Sequence, residues 1–218
     1  MFRISISQEE LEGLPQVSFP GKIHVITEPG PELDHAIAYL RRQKIIGFDT
    51  ESRPVFSPDQ HHSGEALLQL SGKNEAFLFR LKMLGLPKRV ATIMASPRIV
   101  KVGAAVLDDL RGLKKYLPFK ESNVVDLQKI VWEWGVKDKS VKKMAAIILG
   151  IRISKTQQLS NWEAPVLSES QEKYAATDAW VCREMYMKLQ GEQKNPLTAE
   201  QMAPPPVTIM TGNGQDNT

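Results

Sequence analysis

The chain has 218 residues, 42% hydrophobic and 24% charged, and its 28 Lys and Arg against 25 Asp and Glu give a formal net charge of +3. That composition suits one soluble globular domain with tails, and the weak positive charge permits a nucleic-acid partner without pointing to one. A lone cysteine, Cys182, excludes an internal disulfide and suggests a reducing compartment, and no run reaches the ~18 apolar residues of a membrane helix.

Residues 1–21 read as a lead-in with a short acidic helix from Gln8 to Leu14. No basic segment followed by a long apolar run opens the chain, so a cytoplasmic location is expected. Lys22 to Thr27 alternates as a strand, Glu28 to Pro31 is a turn, and Glu32 to Gln43 carries Leu33, Ile37 and Leu40 at helical spacing. Next comes Ile45-Ile46-Gly47-Phe48-Asp49-Thr50-Glu51, an apolar strand ending in two acids. Side chains at i and i+2 share a strand face, so Asp49 and Glu51 project together and repel unless a cation lies between them. A pair of divalent cations would meet that need. On this stretch alone the alternative stays open that Asp49 caps a turn and Glu51 is solvated.

A polar loop, 52–64, follows the acids and holds Arg53, Phe56, His61 and His62. It could guide a substrate strand or be ordinary surface. Ala66 to Ser71 and Ala76 to Leu81 read as two further strands on short connections, an antiparallel meander. From Pro87 the pattern alternates: helix, strand (Ile99 to Val102), helix (Ala105 to Leu117), strand (Asn123 to Val125), then helix. The expected class is α/β, a mixed sheet with antiparallel and parallel strands flanked by helices. Residues 191–218, rich in Pro, Gln, Asn and Gly, are expected to be a disordered tail. Isolated Gly47 and Gly103 make no phosphate-binding loop.

Helical geometry places two more acids. In Ala105 to Leu117, the residues Val106, Leu110, Leu113, Tyr116 and Leu117 share a face, with Asp109 at its edge and Asp108 opposite beside Arg111 and Lys115. Asp109 can therefore turn inward, although two surface acids remain an alternative. In Tyr174 to Leu189, Asp178 stands in the middle of a stripe of Tyr174, Val181, Cys182, Met185 and Leu189. A carboxylate in such a stripe needs a metal or an ion pair, because desolvating it is costly.

Three motifs now resemble the DEDD superfamily of 3′–5′ exonucleases, in order. They are Phe48-Asp49-Thr50-Glu51, Lys101 to Leu110 with its acid at Asp109, and Tyr174-Ala175-Ala176-Thr177-Asp178. Leu159-Ser160-Asn161-Trp162, Pro165 to Gln171 and Val125-Asp126-Leu127 are also similar. The likeness covers about residues 22–190 and is nearest to the branch of ribonuclease D and Werner-type exonuclease domains. Lys173 stands where the histidine subgroup has His, so the chain is similar to the tyrosine subgroup.

The resemblance implies an RNase H-like fold and a catalytic set of Asp49, Glu51, Asp109, Asp178 and Tyr174, the four acids being the metal ligands. It leaves Asp126 outside the site. Four carboxylates offer only oxygen, which favours two Mg²⁺ or Mn²⁺ ions over zinc. Zinc is not expected either from one Cys and from His24, His35, His61 and His62, which lack ligand spacing. Two such ions would clamp an in-line phosphodiester displacement, with Tyr174 orienting or helping to deprotonate the attacking water. The expected partner is nucleic acid with a single-stranded or recessed 3′ end, DNA ahead of RNA, and no membrane. A catalytically silent binding module and a ribonuclease D-type exoribonuclease are the alternatives. Trp132, Trp134, Trp162 and Trp180 are expected in the core or an interface rather than as stacking platforms.

Overall fold

A computed structural model describes residues 1–55 and 63–203. The elements, in chain order, are α1 (Gln8–Glu12), β1 (Lys22–Ile26), α2 (Pro31–Arg41), β2 (Ile45–Ser52), β3 (Glu65–Ser71), β4 (Glu75–Arg80) and α3 (Leu81–Leu84). They continue with α4 (Lys88–Met94), β5 (Val100–Gly103), α5 (Val106–Tyr116), β6 (Val124–Asp126), α6 (Leu127–Ile130) and a 3₁₀ turn at Val131–Trp134. The last three are α7 (Val141–Leu149), α8 (Glu169–Gln190) and α9 (Ala199–Met202).

The strands form one mixed sheet in the order β1-β4-β3-β2-β5-β6. The meander β2-β3-β4 is antiparallel, while β1, β5 and β6 add in parallel. The expected class is what the chain adopts, an RNase H-like sheet with helices on both faces. Period-two burial sorts the layers: Phe48, Leu68, Leu70, Phe77 and Phe79 pack on one side with α2, α4 and α5. Leu67 and Leu78 face the other side, against Trp162, Tyr174 and Ala175, and α7 and α8 cover the β5 end through Met144, Val181 and Met185.

Two expectations change. The last helix begins at Glu169, five residues before Tyr174, because Ser168 and Gln171 form a capping box. The tail reading fails for residues 191–203: Asn195 and Leu197 donate backbone hydrogen bonds to Glu133 and Trp132, Leu197 is buried, and α9 follows. Its one large aliphatic residue meets a hydrophobic wall, which composition does not reveal; residues 204–218 lie outside the described residues. Lys101 is wholly buried in β5, where its ammonium donates to the Ser96 and Ile99 carbonyls at 2.7 and 2.8 Å. Burial lowers its pKa to about 8. Trp134 and Trp162 are core residues, and Trp132 is exposed. Among the described residues no helix is long and apolar enough to cross a membrane.

Candidate active site

Strand β2 and helix α8 build the site between them. Alternation along β2 sends Ile46 and Phe48 under α2 and α5 and turns Gly47, Asp49 and Glu51 towards α8. The helix lies so close that a Cβ at Gly47 would overlap the Ala179 carbonyl. Only glycine permits that approach. The approach brings one carboxylate oxygen from each of Asp49, Glu51 and Asp178 within 4.8 Å of the others. Tyr174, one turn earlier on α8, hydrogen-bonds Asp178.

Asp109 arrives from the opposite face of the sheet. Thr50, which points away from Asp49 and Glu51, donates its hydroxyl to Asp109 Oδ1 at 2.5 Å. Asp109 thus stands outside the tight trio yet adds its field to Asp49 and Glu51. Asp108 is exposed and pairs with Arg111 at 2.9 Å. The turn that launches α5 is held by Asp126, whose Oδ1 accepts from the N–H groups of Ala105 and Gln128 at 3.0 and 3.1 Å. Ala105 takes a left-handed φ of 59°, and the Asp126 bond holds it there. Asp126 is thus a clamp that aims α5, and through it Asp109.

The acids repel one another in a partly desolvated place. Burial first, then Asp178, Glu51 and Asp109, push Asp49 well above the ordinary carboxylate range. Glu51 is raised to about 9 by burial and by Asp178, Asp109 and Glu65. Burial raises Asp178 to about 7 against the opposing Tyr174 hydrogen bond and the Lys155 ammonium. Asp109 rises to about 6, again mainly by burial, with the Thr50 bond opposing. Tyr174 is pushed up by burial and by Asp178, so its hydroxyl keeps its proton. Among the described residues no Lys or Arg forms a salt bridge with any of these acids. Divalent cations fit this set: the donors are hard oxygens, several are crowded together, and their repulsion is what a bound cation would relieve.

Asp49, Glu51 and Asp178 floor an open cleft of ≈ 300 Å³. Its other wall is the N-terminus of α7 (Ser140, Val141, Lys142) and the segment with Ile153, Ser154, Lys155 and Gln158. Of the five residues the resemblance implies, Asp49, Glu51, Asp178 and Tyr174 line the cleft and Asp109 stands behind it on Thr50; the sequence does not single out Thr50, Lys155 or Glu65. Thr50 lay within the first motif itself, but Lys155 and Glu65 reach the site only through folding. In the loop after β2, Arg53 lies 3.8 Å from Glu163, which also meets Lys82 and the Ser63 hydroxyl. Phe56, His61 and His62, the other residues read there as a strand guide, lie outside the described residues.

A 3′–5′ exonuclease family model matches residues 25–194. The chain belongs to this family. It is 24% identical over 209 residues to the human exonuclease mut-7 homolog, covering 83% of this chain and 24% of that protein. It is 27% identical over 187 residues to the mouse bifunctional 3′–5′ exonuclease/ATP-dependent helicase WRN, covering 82% of this chain and 13% of that protein. The chain therefore spans a quarter or less of these two relatives' lengths. Among solved structures, Trypanosoma brucei ribonuclease D in complex with RNA U12 superposes with a TM-score of 0.68 at 19% identity, over 80% of this chain and 64% of that one. That likeness speaks for the fold.

Proposed function

We propose that this 3′–5′ exonuclease-family chain is a divalent-metal-dependent hydrolase that removes nucleotides one at a time from the 3′ end of nucleic acid. The observation that carries the reading is the convergence of Asp49, Glu51, Asp178 and Tyr174 on the floor of one open cleft, with Asp109 behind them on the Thr50 hydroxyl. Asp49, Glu51 and Asp178 would hold one Mg²⁺ or Mn²⁺ ion, and Asp49 with Asp109 would face a second. When bound, such ions acidify the attacking water and stabilise charge on the leaving 3′ oxygen.

The protein's own groups do the rest. Tyr174 keeps its proton and so orients the attacking water by hydrogen bonding rather than acting as a base. Lys142, Lys155 and the free N–H groups at the start of α7 face the acids across the cleft, where they would hold the phosphate backbone. The cleft volume suits a terminal nucleotide rather than a duplex. Family relatives include both WRN and ribonuclease D, so the test includes both sugars; the Werner-type likeness makes DNA the first substrate to try.

The test is a time course on 5′-labelled DNA and RNA oligonucleotides with Mg²⁺, Mn²⁺ or EDTA. A ladder shortening from the 3′ end, abolished by EDTA and by Asp178→Asn, is expected. Intact substrate with either metal would replace this reading by that of a silent nucleic-acid-binding module.

A further inference from the structure

A second cluster of metal-ligating side chains lies three strands from the acids, on the opposite face of the sheet. His24 projects from the edge strand β1 and stacks on Phe77 of β4, their ring centroids 4.9 Å apart. At ~4.8 Å per strand this puts it about 14 Å from β2. His35, near the start of α2, comes to 5.1 Å from the His24 ring. Glu75 opens β4 beneath both. The Nε2 atoms of His24 and His35 both approach Glu75 Oε2, at 2.8 and 2.6 Å. The other His24 nitrogen, Nδ1, lies 2.9 Å from Glu32 Oε2. The sequence spacing gives no hint of a zinc site, because the three ligands come from β1, α2 and β4.

We propose that His24 Nε2, His35 Nε2 and the Glu75 carboxylate form a Zn²⁺ site that ties the edge strand β1 to α2 and β4. Two imidazoles and one carboxylate are a donor set that zinc takes with a fourth position left for water. Here that position opens to solvent, since the His24 side chain is 3% exposed, Glu75 21% and His35 44%. Glu32 completes the arrangement: by accepting from Nδ1–H it fixes the tautomer that presents Nε2 to the metal. Geometry gathers the donors: both His24 nitrogens lie at hydrogen-bonding distance from a carboxylate, and the Nε2 atoms of the two imidazoles converge on one Glu75 oxygen. The ligand atoms need to open by about half an ångström from hydrogen-bonding distance to admit the ion. His35 and Glu75, the two more exposed side chains, can supply that movement.

The test uses the full chain carrying Asp49→Asn and Asp178→Asn, so that the acid cluster does not take up metal. After chelator stripping, Zn²⁺ is titrated by calorimetry, and Co²⁺ by its visible absorption, which is intense for nitrogen-ligated tetrahedral ions and weak for oxygen-only octahedral ones. One equivalent of Zn²⁺ and an intense Co²⁺ band are expected, with a higher melting temperature in Zn²⁺. His35→Asn, at a half-exposed helix position that keeps the fold, removes both signals. Glu32→Gln weakens Zn²⁺ by about 10–100-fold, as loss of an imidazole's outer partner does. No Zn²⁺ uptake, or equal uptake by the His35→Asn protein, overturns the site and leaves a hydrogen-bonded histidine network.

Discussion

Asp49, Glu51, Asp109 and Asp178 hold more protons when folded than when unfolded, and the sign of their effect on stability follows. Unfolded acids ionise near their ordinary values of 3.8 and 4.5, whereas in the fold Asp109 titrates at about 6, Asp178 at about 7 and Glu51 at about 9. Where the native state binds the extra protons, stability falls as pH rises. The metal-free protein should therefore lose stability steadily from about pH 4 to about pH 9 and then level off. Saturating Mg²⁺ should flatten that slope, because cations replace protons as the countercharge. Melting temperatures across this range in EDTA and in Mg²⁺ check it; a flat EDTA profile would show that the acids do not repel as described. Asp178→Asn separates stability from activity. It should raise metal-free stability near pH 8 by on the order of a few kcal/mol. The same change should lower kcat by several orders of magnitude, as expected when a ligand charge leaves a metal cluster.

At the scale of elements, the placing of α8 against β2 decides whether those residues make a site. Gly47→Ala forces the Ala179 carbonyl, and with it Asp178, away from Asp49 and Glu51. A displacement of ~1 Å at a reacting centre can cost about 10²-fold in rate. The variant should fold with reduced stability and show a fall of that order in kcat; wild-type kcat would mean α8 does not set the spacing. This contact also shows where sequence reasoning ran out. Period-two alternation sufficed for Asp49 and Glu51, and helical phase placed Asp178 inside its stripe and Asp109 rather than Asp108 inward, because each depends on one element alone. Gly47 was legible only as a glycine that fits no phosphate loop, since its role depends on the distance between two elements. The same holds for Asp126, Lys155 and the His24, His35 and Glu75 convergence. The buried Lys101 satisfies itself with backbone carbonyls, so no charge partner in the sequence could announce it.

Across the whole molecule, the N-terminal lead-in folds back onto the sheet's α8 side. Ile6 and Leu11 pack against Ala146 of α7, while Phe19 is buried among Ala76, Ala176 and Trp180. The Phe19 backbone N–H donates at 2.9 Å to Thr177 Oγ1, whose hydroxyl donates in turn to the Lys173 carbonyl at 2.6 Å. Thr177 directly precedes Asp178, so the lead-in braces the turn of α8 that carries Tyr174 and Asp178. A brace of this kind belongs to the same cooperative unit as the site it supports, because its apolar side chains complete the core beneath the helix. Phe19→Ala leaves the backbone bond in place and removes only the packing. Truncating a buried aromatic costs about 3–5 kcal/mol, and here the whole loss should appear as a shift of one urea transition with its slope unchanged. Urea unfolding followed by both tryptophan fluorescence and far-ultraviolet dichroism measures it. Coincident curves moved to lower urea mean that residues 1–21 and the catalytic layer stand or fall together. An early, separate transition with the main one unmoved would make the lead-in an independent attachment, and its bond to Thr177 incidental to the site.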